Sequence, residues 1–457
     1  MQKIILRILA ALAAPLFLLT GLQQSVIGYT EGTPIRATRQ DYVFDNDKLL
    51  LGGYYALRDE LPYCEDAGIE FVVASGVDTA YLDLAEQYGV GVIAAGYQLP
   101  SAYGALGDDT TEKWVNADAS KLRAHPALWG DDLIDEPAAG SFANIAKCVN
   151  AYYQKFPGHL PYVNLFPMYA NGEQLGETSK LTALQKLLFL TDHSKEDIEL
   201  YKMHVSDYIN TIDTDYICVD IYPYHAMTNA LGKEEKFTSE VWIRNLDILA
   251  EACRETGRDL WVITQASGLT KDGSIRDMRW CDEASDISQQ SYACLAFGSK
   301  AIIQALFSRT GWWDADSHMI GSDGKPTETY DAVAAVNKDL KAFADVYGKY
   351  TYSGTYMMNR VLVTGRGVGS LNCENTDERG NVHSANGLLV GTFNGEDGKA
   401  YVVANLEELH RNVTASFTFD VPAGQTATVY KKGTAFTMTG SFAMELDPGE
   451  GVFITVK

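Results

Sequence analysis

A closed (β/α)8 barrel followed by a small C-terminal antiparallel β-sandwich is the fold this sequence predicts. Three observations predict it. Short apolar runs alternate with amphipathic segments from about residue 48 to 350. There are eight such runs, which suits a closed barrel better than an open sheet. After Tyr350 the texture changes to short alternating stretches separated by turn signals.

The apolar runs are Leu49–Tyr55, Ile69–Ser75, Val90–Ala95, Leu128–Asp135, Pro161–Phe166, Tyr216–Tyr222, Leu260–Ala266 and Ala301–Phe307. Continuous apolar strands of this kind are buried on both faces, as in a parallel sheet covered by helices. The intervening helical patterns include Thr79–Tyr88, Phe142–Phe156, Ser239–Glu255 and Glu283–Phe297, and a last helix spans Thr329–Tyr347. No GxGxxG follows the first strand, which removes the main signal for an open dinucleotide-binding sheet. The crossover from Pro167 to Thr214 is long and would sit on the rim of the barrel, where binding loops lie. Beyond residue 350, Leu388–Phe393, Ala400–Asn405, Ala415–Phe419, Thr426–Tyr430 and Val452–Val456 alternate as sandwich strands do. Asn394-Gly395, Asp397-Gly398 and Pro448-Gly449 mark turns between them.

At its start the chain carries Lys3 and Arg7, then an apolar stretch from Ile8 to Leu22, then Gln23 and Gln24. This layout predicts a secretory signal peptide or N-terminal anchor over residues 1–28, and hence a secreted or cell-surface protein with no stable membrane insertion once the signal is removed. The stretch is short for a transmembrane helix. The expected domains are then a catalytic barrel over 40–350 and a β-sandwich over 351–457.

The 457 residues are 46% apolar and 21% charged, the composition of a folded globular chain. A net charge of −23 argues against nucleic acid as a partner, because phosphate must be met by Lys and Arg. A neutral ligand such as a carbohydrate is compatible with it. Seven scattered cysteines form no CxxC pair and read as small buried hydrophobes. Eight histidines without HxH or HExxH support no metal site, and no GxSxG elbow or phosphate-binding loop occurs, so no cofactor is expected.

In a (β/α)8 barrel the chemistry sits at the C-terminal ends of the strands. The fourth strand ends Asp131-Asp132-Leu133-Ile134-Asp135-Glu136-Pro137. Strict alternation would put Asp132, Ile134 and Glu136 on one face, and Pro137 would turn the chain out of the ladder. A carboxyl on a partly desolvated rim has a raised pKa and can hold a proton near neutrality, as a general acid must. Against this stands the plainer reading of an acidic helix start. The run from His125 to Pro137 resembles the fourth-strand signature of clan-A (β/α)8 glycoside hydrolases, whose Asn-Glu-Pro or Asp-Glu-Pro supplies the acid/base. The resemblance implies that Glu136 is the acid/base and that Asp135, in place of the commoner Asn, holds a sugar hydroxyl.

Such enzymes use a second carboxyl, which in clan A is a Glu at the end of the seventh strand. Here that strand ends in Gln265, which cannot be a nucleophile but can orient a water or a sugar hydroxyl. Asp220, in Asp220-Ile221-Tyr222-Pro223-Tyr224 on the sixth strand, is the best substitute. Asp220, Tyr222 and Tyr224 alternate onto one side, offering an anion and aromatic surface. Glu283 is a weaker candidate, read equally as a first-turn helix acid, and so are Asp59 and Glu60. Tyr54, Tyr55, Tyr97, Phe166, Tyr169, Trp312 and Trp313 fall near the expected rim, where aromatic faces stack on sugar rings. Of these Tyr54, Trp312 and Trp313, with Tyr222, are expected to bind substrate. The expected function is hydrolysis of O-glycosidic bonds by carboxyl acid/base catalysis. The alternative is a non-catalytic carbohydrate-binding barrel that has lost the seventh-strand nucleophile.

Overall fold

A computed structural model describes residues 35–95, 122, 124–176, 195–271, 273, 277–309, 313–358, 362–365, 367–368, 373–376, 382–384, 387–407 and 409–457. Residues 1–28 lie outside it. The barrel elements run β1 (Leu50–Tyr54), α1 (Pro62–Ala67), β2 (Phe71–Ser75), α2 (Thr79–Gln87), β3 (Gly91–Ala95), β4 (Leu128–Asp135), α3 (Phe142–Lys155), β5 (Leu160–Leu165), α4 (Lys195–Thr211) and β6 (Tyr216–Ile221). A hairpin of β7 (Tyr224–Thr228) and β8 (Glu234–Thr238) follows, then α5 (Glu240–Thr256), β9 (Asp259–Gln265), α6 (Ala284–Ala296), β10 (Ser299–Ala305), α7 (Glu328–Lys341) and α8 (Ala344–Gly348). The strands close as β1-β2-β3-β4-β5-β6-β9-β10, all parallel, with β10 paired back onto β1. The eight expected strands are these eight, with ends shifted by one or two residues. The β7–β8 hairpin was not expected from the sequence.

Local signals set the helix ends. Asp78 Oδ1 accepts from the Tyr81 N–H at 2.7 Å and caps α2. Pro62 occupies the first turn of α1, and Gly68 ends it at φ 69°, a conformation that favours glycine. The single helix expected over Thr329–Tyr347 is two, α7 and α8. The chain leaves helical geometry at Phe343 (φ −134°, ψ 5°), whose ring stacks at 5.1 Å on Phe453 of the C-terminal domain. Tertiary packing of one aromatic outweighs the local periodicity.

The barrel interior is filled with rings. Phe71, Tyr162, Tyr216 and Trp261 are buried there with Leu50, Ile93 and Ile303. Glycines make the room: a Cβ on Gly52 would fall 2.5 Å from the Phe71 ring, and one on Gly91 would fall 2.0 Å from Trp129. The floor is sealed by a stack of Tyr42, Phe44, Trp129 and Phe71, with centroids 4.9, 4.3 and 5.6 Å apart. A sealed floor leaves the C-terminal mouth as the open end.

The C-terminal domain has two antiparallel sheets. The larger contains β11 (Thr351–Met358), β12 (Gly367–Val368), β15 (Leu388–Gly395), β16 (Gly398–Asn405), β18 (Ala427–Lys431), β19 (Thr434–Met438) and β21 (Gly451–Val456). In it β11 pairs in parallel with β12. The smaller contains β13 (Cys373–Thr376), β14 (Val382–Ser384), β17 (Thr414–Asp420) and β20 (Ser441–Leu446). The larger sheet is a middle layer. Val452, Ile454 and Val456 face the smaller sheet, while Phe453, Leu389 and Val402 join the barrel's outer core. Burial on both faces explains why β21 reads as an unbroken apolar run. Six cysteines, Cys64, Cys148, Cys218, Cys253, Cys281 and Cys294, are buried, as small hydrophobes are. Among the described residues no helix is long and apolar enough to cross a membrane.

The domains meet where β15 lies on α6. A Cβ on Gly391 would sit 2.2 Å from the Ala296 carbonyl oxygen, so the strand approaches the helix backbone at a distance only glycine allows. Gly391→Ala is therefore expected to destabilise the protein by about 1–3 kcal/mol through overpacking. A lower urea midpoint at unchanged slope is the measurement that checks it.

Candidate active site

β4 departs from simple alternation, and the departure builds the site. Its register with β5 slips between Asp132 and Ile134. Asp132 pairs with Tyr162 and Asp135 with Asn164, so Leu133 is the extra residue of a bulge. Leu133 and Ile134 both pack into the outer core between barrel and helices. The expectation that Ile134 and Glu136 share the inner face with Asp132 is thus corrected: Asp135 takes the inward place. Glu136 then reaches the mouth by another device. Its φ is +47°, a left-handed conformation that few non-glycine residues adopt. Its N–H donates to the Asn164 carbonyl at 2.9 Å, and the buried Pro137 follows. Left-handed carboxyl-bearing residues persist where the surroundings over-determine them, commonly at active sites.

At the mouth lies a cavity of about 250 Å³ lined by Tyr54, Asp135, Glu136, Asn164, Tyr169, Asp220, Tyr222, Ile263, Leu306 and Trp313. Of the residues expected to catalyse or bind substrate, Glu136, Asp220, Asp135, Tyr54, Tyr222 and Trp313 line it, as does Tyr169 from the expected rim. The Trp313 ring meets Tyr222 edge-on at 4.7 Å. Trp312 lies outside the described residues.

Gln265 is placed elsewhere. It is fully buried; its Oε1 accepts from the Tyr224 N–H, and its Nε2 donates to the carbonyls of Tyr224 and Arg279. An amide with three backbone partners cements the end of β9 to the neighbouring loops and is not free to orient a substrate. The wall that β9 presents to the cavity is Ile263. Tyr224 also turns away, donating to Gln289 at 2.9 Å beneath the Arg279 guanidinium. Glu283 stands at the N-cap of α6, bonded by Ser285 and off the cavity. Asp59 and Glu60 are clamped by Arg309, and Glu60 Oε2 accepts from the Leu57 N–H, a structural role.

Asn164 was missed. Its Nδ2 donates to Asp135 Oδ1 and to Asp220 Oδ1, each at 2.9 Å, so one amide ties β4, β5 and β6 together. A signal existed: Asn164 is the one polar side chain within the apolar run Pro161–Phe166.

The electrostatics follow from the crowding. Burial, then the nearby charges of Asp220 and Asp135, push the Glu136 carboxyl from its ordinary 4.5 up to about 8. Burial and the Asp135 charge push Asp220 up to about 7, although hydrogen bonds from Asn164 and Tyr222 pull it back. Among the described residues no Lys or Arg is paired with either carboxyl. One acid is thus poised to hold a proton near neutrality beside another that is poised to lose it, and acid and base assignments rest on such divided pairs.

No protein-family model matches the chain, and no curated protein matches it in sequence. Its structure is similar to solved ones. One glycoside hydrolase aligns with a TM-score of 0.51 at 11% identity, covering 89% of this chain and 92% of its own. A family 5 glycoside hydrolase from Bacteroides vulgatus aligns at 0.50 and 13%, covering 89% of each chain. A family 42 β-galactosidase aligns at 0.50 and 10%, covering 92% of this chain and 99% of its own. The fold is the (β/α)8 barrel with a trailing β-domain, and these glycoside hydrolases are similar to it in structure. In this chain Glu136 follows the fourth barrel strand and lines the mouth, while the end of the seventh barrel strand offers an amide bound to backbone.

A carboxyl with a raised pKa makes the folded chain hold a proton that the unfolded chain has already released. Its contribution to stability is full below 4.5 and is lost as pH rises through about 8. Glu136→Gln is expected to melt with the native protein at pH 4 and at a higher temperature above about pH 8. Equal melting temperatures in alkaline buffer would show that the side chain is well solvated.

Proposed function

We propose that the protein is a glycoside hydrolase that cleaves O-glycosidic bonds, with Glu136 as proton donor and Asp220 as the second carboxyl. The observation that carries this reading is the placement of Glu136 and Asp220 in one cavity at the mouth of the barrel, where burial and then the charges of Asp220 and Asp135 raise the Glu136 pKa to about 8. Glu136 would protonate the leaving glycosidic oxygen as the bond to the anomeric carbon breaks. Asp220, held by Asn164, would stabilise the positive charge that develops on the ring and take a proton from the attacking water. Asp135 stands where a sugar hydroxyl would be held, and Tyr54, Tyr222 and Trp313 supply aromatic wall. Export from the cytoplasm belongs to the same proposal and rests on the N-terminal apolar run.

A second reading has one specific observation in its favour. Gln265 replaces the seventh-strand carboxyl and is locked to backbone, as in a barrel that binds glycans without cleaving them. Turnover separates the two. On nitrophenyl glycosides and polysaccharides, Glu136→Gln is expected to lower kcat by about 10²–10⁴-fold while leaving binding intact. Asp220→Asn should lose activity on the same order. Glycan binding with no release of reducing sugar by the native protein would decide for the binding reading.

The pH dependence has a definite sign. The productive state needs Asp220 ionised and Glu136 protonated. Activity should rise with pH as Asp220 ionises near 7 and fall as Glu136 deprotonates near 8. Since these groups interact, the two limbs report the cluster rather than each residue alone. An optimum below pH 5 is the outcome this assignment cannot accommodate.

A further inference from the structure

The cavity has an imbalance that glycoside hydrolysis does not itself require. Two carboxyls suffice for the reaction, yet Asp135, Glu136 and Asp220 all line it, and among the described residues none that lines it is Lys, Arg or His. Four aromatic residues, Tyr54, Tyr169, Tyr222 and Trp313, complete its walls. The three carboxyls do not form a metal cage: among the described residues no group of three or more His, Cys, Asp or Glu is arranged to hold an ion. A further acceptor waits there. Asn164 is 1% exposed, both its carboxylate partners are on Nδ2, and its Oδ1 is buried without a hydrogen-bond partner.

Its described lining is therefore rich in acceptors, carries the charge of whichever carboxyls are ionised, and includes no cation. A neutral sugar brings hydroxyls that donate and accept alike and does nothing for the charge. An ammonium brings three donors, no acceptor and one positive charge. Aromatic faces attract the same group. We infer that the sugar ring bound in this cavity carries a protonated primary amine, so that the substrate class is a glycoside of a free amino sugar. This inference rests on the reading of the cavity as a glycoside-binding active site. Uronic and sulfated sugars are disfavoured by like charge, and an N-acetylated sugar has lost the charge that the site lacks. The net charge of −23 extends the same preference to the encounter. Repulsion from Asp135 helps hold Asp220 up to about 7, and a bound ammonium relieves that repulsion and favours the ionised form the reaction needs.

Calorimetric titration at pH 7 with glucosamine and galactosamine, against glucose, galactose and glucuronate, tests this. The amino sugars are expected to bind about ten- to a hundredfold more tightly than the neutral parents, with glucuronate weakest. Asp220→Asn should abolish the preference, and Asp135→Asn should reduce it, which keeps the test decisive if one variant fails to fold. In parallel, nitrophenyl glycosides with a free 2-amino group are compared with their 2-hydroxy parents by kcat/KM. Hydrolysis of the neutral parents at an equal or higher rate overturns the inference and leaves the hydrolase reading standing. Tighter binding of amines with no hydrolysis of any glycoside upholds the inference and removes the hydrolase reading.

Discussion

The two N–H bonds of the Asn164 amide are the constraint on which the site depends. They hold Asp135 and Asp220, from strands on either side of β5, at 2.9 Å from one nitrogen. Carboxyls brought together in a low-dielectric mouth repel one another and resist ionisation. A shared donor allows the group to stay close without a cation. The remaining repulsion is not wasted, because it adds to burial, the larger cause, in raising the Glu136 pKa to about 8. A single amide thus converts a stability liability into a divided acid and base pair.

Placing that pair required breaking the regularity of a strand. The bulge at Leu133 brings Asp135, not Ile134, to the inner side, and the left-handed Glu136 carries the next carboxyl back to the same cavity. Two successive residues then serve one site, which a regular pleat forbids because neighbours face opposite ways. The strain is held by the Glu136 N–H bond to Asn164, by Pro137 and by a barrel already packed with rings below. The aromatic floor matters for the same reason: it leaves the upper end as the place where a polar ligand can enter.

The C-terminal domain stays away from this chemistry. Its larger sheet packs on α6 and α8, on the outer side of the barrel, and the close approach at Gly391 makes the contact tight. Its contribution is to bury apolar barrel surface and the helix that carries Gln289 and Gln290. Gln290 bonds both backbone groups of Gln265, so β9 is fixed from behind by that same helix.

By itself the sequence determined the architecture and pointed to Glu136 and Asp220 at the ends of its strands. Alternating apolar runs and amphipathic helices are local patterns, and burial on both faces demands apolar residues throughout, so eight strands could be counted from one dimension. Glu136 was legible because acids crowd the end of one such strand before a proline, and Asp220 because it interrupts another. Only the tertiary structure decided how those acids are arranged. Leu133 looks like any core leucine until its neighbour strand shows the register slip, Phe343 looks helical until Phe453 packs against it, and Gln265 looks available until three backbone groups from distant loops occupy its amide. Asn164 carries no local mark of its partners, which come from strands 29 and 56 residues away in sequence. Side-chain identity and periodicity are properties of a segment, whereas hydrogen-bond partners, desolvation and charge repulsion are properties of what the closed barrel brings beside it.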